Sequence, residues 1–261
     1  MMFRACAEPE SLAACPAMSL PRFFLPIEHW SGPLVWLDGD EAAHCTRVRR
    51  LMAGDRLEVF DGQGRVAEAV IARIESRRVE LRMDSVRLEP RPALEVWLLP
   101  ALLKTEAFET VLAQAVELGA AVILPIVAQQ GVVHATEEFW QRKQPKWQRL
   151  IVEAGKQSHQ AWLPRLMPPM ALARALPLCP AQAARFLLSL EANAQTLRLP
   201  SPCAQSVLLV GPEGDWSVAE CEQARAAGFV AVTLGKSVLR AETACVAAMA
   251  ALGQQWRQQT S

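Results

Sequence analysis

The sequence lacks an excess of charge of either sign. Its 261 residues carry 27 lysines and arginines against 27 aspartates and glutamates. A chain without net charge has no global attraction for a polyanion, so any nucleic-acid site must be local. Paired cysteines are also missing. The seven cysteines stand singly, with no Cys-x-x-Cys. The odd count and wide spacing exclude a disulfide framework and a zinc site built on cysteine pairs. They predict no metal and a reducing, cytoplasmic setting. Long apolar runs are absent too. None approaches the roughly 18–20 residues of a membrane span, so no membrane association is expected. The first twenty residues hold no continuous apolar segment and include Glu8 and Glu10, which fits a signal peptide poorly. Met18 offers a later start, because patterned sequence begins at Pro21-Arg22-Phe23-Phe24. Residues 1–17 are read as an unstructured extension or a start-site error.

Apolar content is what the chain does have. At 51% it supports a sizeable core. Residues 18–88 read as several short strands, which suggests a small β-barrel. L-V-W-L precedes an expected turn at Asp38-Gly39-Asp40. Residues 44–51 look like a helical insert. Leu57, Val59, Val66 and Ala69-Val70-Ile71 flank Asp61-Gly62-Gln63-Gly64, the pattern of a hairpin. R-V-E-L-R-M adds another strand. Pro90 and Pro92 then break the pattern, because proline cannot continue a central strand, and the domain boundary is placed there.

From residue 93 the rhythm becomes strand then helix, which predicts an α/β domain with a mostly parallel sheet over 89–261. E-V-W-L-L-P-A-L-L reads as a buried parallel strand. Thr105 is the expected N-cap of a helix burying Phe108, Val111, Leu112, Ala115 and Leu118 and stopping at Gly119. A-V-I-L-P-I-V, R-F-L-L-S-L, S-V-L-L-V and F-V-A-V-T-L are further strands. Gly211-Pro212-Glu213-Gly214 makes a tight turn at a strand end. Ser217 and Glu220 follow at capping-box spacing. Such a turn is either a plain connection or a place where glycine lets backbone N–H groups approach a ligand. The last helix opens at Ala241-Glu242-Thr243-Ala244, with Val246, Met249, Ala250 and Leu252-Gly253 expected inward.

Gly235-Lys236-Ser237 mimics half of a phosphate-binding P-loop. The full motif needs a glycine five residues before Gly235, where Val230 stands in an apolar, β-branched stretch. A nucleoside triphosphate site, and with it a nucleotide hydrolase, is therefore set aside. No G-x-G-x-x-G is present either.

The two C-terminal loops together, G-P-E-G before a capped helix and L-G-K-S-V-L-R-A-E-T-A after the next strand, resemble the SPOUT methyltransferases. The closest resemblance is to the RsmE-type small-subunit rRNA (uracil-N3) methyltransferases. Pro21-Arg22-Phe23-Phe24, H-C-T-R-V-R-R, G-D-R-L-E-V-F-D-G-Q-G, Lys104 with Glu109, Glu117-Leu118-Gly119, Pro125, Lys146-Trp147 and Glu153…Gln157-Ser158…Pro164 follow in the family's order. The resemblance implies a trefoil-knotted, mostly parallel α/β sheet with flanking helices, behind a small N-terminal PUA-like β-barrel. It implies S-adenosylmethionine as cofactor, 16S rRNA in the small ribosomal subunit as substrate, and a homodimer. It assigns the cofactor to Leu99, Gly211, Pro212, Glu213, Gly214, Leu234, Gly235, Val238, Leu239, Arg240 and Thr243. It assigns RNA to Arg22, Arg47, Arg49, Arg50, Lys104, Lys146, Arg149 and Gln157.

Methylating N3 of uracil removes a proton and builds negative charge on the ring oxygens. Arg240 suits that charge; alternatively it forms an ion pair with Glu213 or Glu242 that fixes the loops. Glu213 serves as base or as loop brace, and Thr243 as helix cap. Residues 139–165 hold six Lys/Arg, one Glu and three tryptophans. That mixture suits RNA contact and stacking, or a solvated helix with tryptophan in the core. Gln130, Gln160 and Ser237 stand where the family usually carries arginine, Gln114 where it carries lysine, and Asp215 where it carries glycine. These departures favour a second reading, an rRNA-binding protein of the same fold with weak activity or another RNA target.

Overall fold

The computed structural model describes residues 20–133 and 135–260; the expectation for residues 1–17 lies outside them. The first module is built from β1 (Arg22–Phe24), β2 (Leu34–Asp38), a short helix α1 (Gly39–Ala43) running into one π-helical turn (His44–Val48), β3 (Arg56–Phe60), β4 (Arg65–Ile74) and β5 (Arg78–Leu88). The strands form one curled sheet in the order β1-β3-β4-β5-β2. The β3–β4 hairpin is antiparallel, pairing Phe60 with Val66 across the Asp61–Gly64 turn. Asp61 shapes that turn, because its Oδ1 accepts from Gln63 N and Arg65 N. The alternating apolar residues enclose a core that includes Phe23, Leu37, Leu57, Ile71 and Leu81. The expected turn at 38–40 is instead the start of α1, and the helical insert extends back to it. Gly39, at φ 59, makes the sharp entry that a side chain would resist.

The second module follows as β6 (Glu95–Pro100), α2 (Thr105–Glu117), β7 (Ala120–Ile123), β8 (Ile126–Val127), α3 (Glu137–Gln157), β9 (Arg165–Leu166), β10 (Met170–Ala171), α4 (Leu172–Ala175), β11 (Ala184–Leu188), β12 (Gln195–Thr196), β13 (Gln205–Val210), α5 (Val218–Ala226), β14 (Val230–Thr233) and α6 (Ala241–Thr260). Seven of these strands form a parallel sheet in the order β12-β14-β11-β13-β6-β7-β9. Its central strands are buried on both faces. Leu208 and Val210 point into one core with Phe108 and Leu252, and Val207 and Leu209 into another with Leu172 and Ala224. Covering both faces is why β6 and β13 read as unbroken apolar runs rather than alternating ones.

Three expectations shift by one or two residues. Lys104, not Thr105, is the N-cap of α2, and no side chain caps it; Thr105 instead accepts a hydrogen bond from Lys143 Nζ. Val116 is buried where Leu118 was expected, since the helix ends before Leu118 can turn inward. In α6 Cys245 and Ala248 face the core with Met249 and Leu252, whereas Ala250 is exposed.

Residues 189–204 draw a loop around the end of the chain. Within it β12 pairs with β14. Gln255 of α6 accepts from Leu199 N at 2.7 Å and donates to Leu197 O at 3.1 Å, and Gln259 donates to Leu199 O at 2.9 Å. The last strand and helix are thus both tied to this segment.

Candidate functional site

The parallel strands β11, β13 and β14 are neighbours, so their C-terminal ends open on the same side. Ligands of open α/β sheets bind there. After β13, Gly211 enters the turn. A Cβ on Gly211 would stand 3.0 Å from the Trp216 indole nitrogen, so that indole holds the turn close to the strand. Asp215 N donates to Pro212 O at 3.0 Å, and Asp215 adopts φ 61. The capping box of α5 is complete, with Ser217 Oγ accepting from Glu220 N and Glu220 accepting from Ser217 N. Glu220 is only 3% exposed, and its other oxygen accepts from Gln129 N at 2.9 Å. One buried carboxylate therefore ties the turn after β13 to the loop after β8. After β14, Thr233 Oγ1 donates to Gly235 O and accepts from Gly235 N, folding the chain back toward α6.

These turns surround a cavity of about 300 Å³. Gly211, Pro212 and Glu213 line one side, and Leu234, Val238, Leu239 and Arg240 another. A third side was not expected from sequence. It comes from Leu188, Ser189 and Leu190 at the end of β11. Val210, Asp215, Val232, Thr233, Ser237, Ala241 and Ala244 complete the lining. Sheet order brings β11 between β13 and β14, and no local motif in R-F-L-L-S-L announces that. Gly214, Gly235 and Thr243 lie outside the lining; Gly214 faces Gln130, and Thr243 is exposed on α6. Leu99 does not reach the cavity, because it is wholly buried in the core with Leu187 and Leu209.

The walls are mainly apolar, with Glu213, Asp215 and Arg240 as the charged groups. Among the described residues Arg240 makes no side-chain hydrogen bond or ion pair, and so none with Glu213 or Glu242. A small apolar slot with a few convergent polar groups takes a nucleoside-sized ligand. Two carboxylates at its rim suit a ligand carrying positive charge.

The residues assigned to RNA fall into three groups. Arg47, Arg49, Arg50, Lys104, Arg149 and Gln157 are exposed. Lys146 is exposed but paired with Glu109 at 2.6 Å. Arg22 is a correction. It is 8% exposed, pairs with Glu58 at 2.9 Å, donates to Gly155 O and lies over the Phe60 ring. Burial lowers its pKa, and Glu58 opposes that shift. Its guanidinium is committed to joining the first module to α3. The tryptophans of 139–165 also belong to structure. Trp147 and Trp140 are buried beside Phe108 and Phe139. Trp162 donates to the carbonyls of Glu89 and Pro90. Of the departures, Ser237 lines the cavity, Gln130 lies beside Gly214, and Gln160 donates to Glu117 O.

Comparison with known proteins places this geometry. A family profile for an RNA methyltransferase domain matches residues 89–253, and one for an RNA methyltransferase PUA domain matches residues 37–84. The ribosomal RNA small subunit methyltransferase E of Synechocystis is 34% identical over 212 residues, spanning 78% of this chain and 67% of that protein. Its counterpart in Mycobacterium bovis is 33% identical over 230 residues, spanning 85% and 87%. The crystal structure of the Neisseria gonorrhoeae enzyme of the same name, bound to S-adenosyl methionine, superposes with a TM-score of 0.83 at 30% identity, over 91% of this chain and 98% of that one. The chain belongs to the RsmE-type RNA methyltransferases of the SPOUT superfamily, with a PUA-like barrel ahead of the knotted sheet.

Proposed function

We propose that this protein transfers a methyl group from S-adenosylmethionine to N3 of a uridine in small-subunit (16S) rRNA. The observation that carries the reading is the cavity at the ends of β11, β13 and β14, with an unpaired arginine on its wall. S-adenosylmethionine would supply an activated methyl there. Leu188, Val238 and Leu239 would hold its apolar parts, and Glu213 and Asp215 would face its positive charge. Uracil N3 is on the pairing edge, so the base must be unpaired or turned out to reach the cavity. The N3–carbon bond would form as the methyl–sulfur bond of the donor breaks and releases the neutral thioether, and the N3–H bond would break with it. Arg240 stabilises the negative charge this places on the uracil oxygens. Glu213, exposed on the same rim, is the carboxylate available to take the proton. Catalysis is otherwise alignment of donor and acceptor.

The assembled small subunit as substrate, a homodimer and a cytoplasmic setting belong to the same proposal. So does a division of labour in which residues 18–88 hold rRNA and residues 89–261 carry the transfer. Gln130, Gln160 and Ser237, where the family carries arginine, favour the second reading of an rRNA-binding protein with weak activity.

Calorimetric titration separates these readings. S-adenosylmethionine is expected to bind one cavity per chain, and ATP to give no heat. Heat with ATP and none with S-adenosylmethionine would overturn the assignment. Binding of S-adenosylmethionine without any transfer to small subunits would support the second reading.

A further inference from the structure

The first module contains twelve arginines and no lysine between residues 20 and 92. Eight of the twelve meet a carboxylate within 4.0 Å. Among the described residues the other four, Arg47, Arg49, Arg50 and Arg77, meet none. Unpaired charge is therefore confined to two turns. One is the π-helical turn with the residues just after it, and the other is the β4–β5 connection.

These turns face one another. Between them lies a hollow of about 350 Å³, lined by Thr46 and Arg47 from one side and Ser76 and Arg77 from the other. Of the two carboxylates at the hollow, Asp38 and Glu75, the second is engaged by arginines other than Arg47 and Arg77. Glu75 is held by Arg73 at 3.4 Å and by Arg78 at 2.7 Å. The hydrogen bond to Glu75 raises the pKa of Arg78, and Asp38 adds to the shift. Arg78 is itself fixed over the Trp36 ring at 4.1 Å. Two free guanidinium forks, with the Ser76 hydroxyl beside them, match the oxygens of a phosphate; the Thr46 hydroxyl already donates to Ala42 O.

We propose that this hollow seats a backbone phosphate of the rRNA. The RNA methyltransferase PUA domain match, residues 37–84, spans both turns, which favours RNA over a free anion. The proposal rests on small-subunit rRNA being the substrate. Arg77 is the new element, since the sequence motifs pointed only to the 44–50 turn. Phosphate contacts position an RNA without reading its sequence. The hollow therefore acts on affinity and orientation, and the transfer step is left to the cavity.

The test compares the full-length wild-type protein with Arg47→Ala/Arg77→Ala, with Arg56→Ala as a control. Arg56 is exposed and already paired with Glu68, so it removes the same kind of charge from outside the hollow. The measurements are the Kd for small subunits at several salt concentrations, the Kd for S-adenosylmethionine, and kcat and KM for transfer. The double variant is expected to bind subunits on the order of tenfold more weakly, with a salt slope smaller by about 1, for the one phosphate no longer neutralised. KM should rise while kcat and the S-adenosylmethionine Kd stay at wild-type values. Unchanged subunit affinity in the double variant overturns the proposal, as does an equal loss in Arg56→Ala. Titration with inorganic phosphate decides the source: if wild type binds it and the double variant does not, while both hold subunits equally, the hollow is a free-anion site. Wild-type protein that binds S-adenosylmethionine but no subunit contradicts the functional reading itself.

Discussion

Two arginines in two regions have opposite fates. At the joint between the modules, Arg22 is buried, paired with Glu58 and hydrogen-bonded to Gly155 of α3. At the ligand end of the sheet, Arg240 is exposed on a cavity wall without a partner. Both were assigned to function on the family's pattern. The difference lies in what surrounds them. The joint is closely packed on both sides of Arg22. Lys156 of α3 reaches Glu41 of α1 at 2.7 Å, and Gly64 N donates to Ala161 O. A cation there serves as glue. The strand ends face solvent, and a cation left unpaired there is available to a ligand.

Substitution separates the two arginines. Arg240→Ala should lower kcat for methyl transfer at least about a hundredfold, as for loss of one donor at a developing oxyanion. Its melting temperature should stay at the wild-type value; a large fall would instead assign Arg240 to loop bracing. Arg22→Ala should do the reverse. Removing Arg22 leaves Glu58 only the exposed Arg87 as partner and takes the buried donor from Gly155 O, which destabilises by about 3 kcal/mol in denaturant unfolding. The S-adenosylmethionine Kd of the folded variant should not change, and a loss of cofactor binding at native stability would contradict its role as glue.

A smaller effect sharpens the picture of the joint. Gly64 adopts φ 98, and a Cβ there would lie 2.4 Å from the Trp162 ring. Gly64→Ala should destabilise by about 2 kcal/mol through overpacking and strain. Wild-type stability would show that the joint yields.

The smallest effect concerns the cores. Burial pushes the Cys245 thiol from 9.0 up to about 12, with Glu242 adding to the shift, and the Cys45 thiol up to about 11, with Glu41 and Asp55 adding. The unfolded chain begins to lose these protons near pH 9, whereas the folded chain keeps them. Stability present below pH 9 therefore falls as pH rises toward 11 to 12, by about 1.4 kcal/mol per pH unit per thiol. Cys245→Ala should show a shallower fall than wild type over pH 9 to 10.5. Parallel slopes would contradict the burial of that thiol.

The strands and helices were legible where burial follows a local period. The β3–β4 hairpin carries its turn in Asp61–Gly64, and the capping box of α5 is written in Ser217 and Glu220. Helix edges were less legible: α2 keeps Phe108, Val111, Leu112 and Ala115 on its buried face, but it ends at Glu117 and leaves Leu118 outside. Two walls of the cavity follow chain segments with recognisable turns. The third, from β11, depends on sheet order, which no short motif encodes. The fate of Arg22 was hidden for the same kind of reason. Glu58 pairs with it through β1–β3 register, and Gly155 approaches only when α3 docks. Arg77 was missed because its significance lies in lacking a partner, which only the full set of neighbours reveals.

The most direct measurement of the central claim is single-turnover transfer of labelled methyl to small subunits that lack the modification, followed by nucleoside analysis of the 16S rRNA, for wild type and Arg240→Ala side by side. The account predicts one N3-methyluridine per subunit with wild type and essentially none with Arg240→Ala. Label in any other nucleoside, or equal labelling by the two proteins, would contradict it.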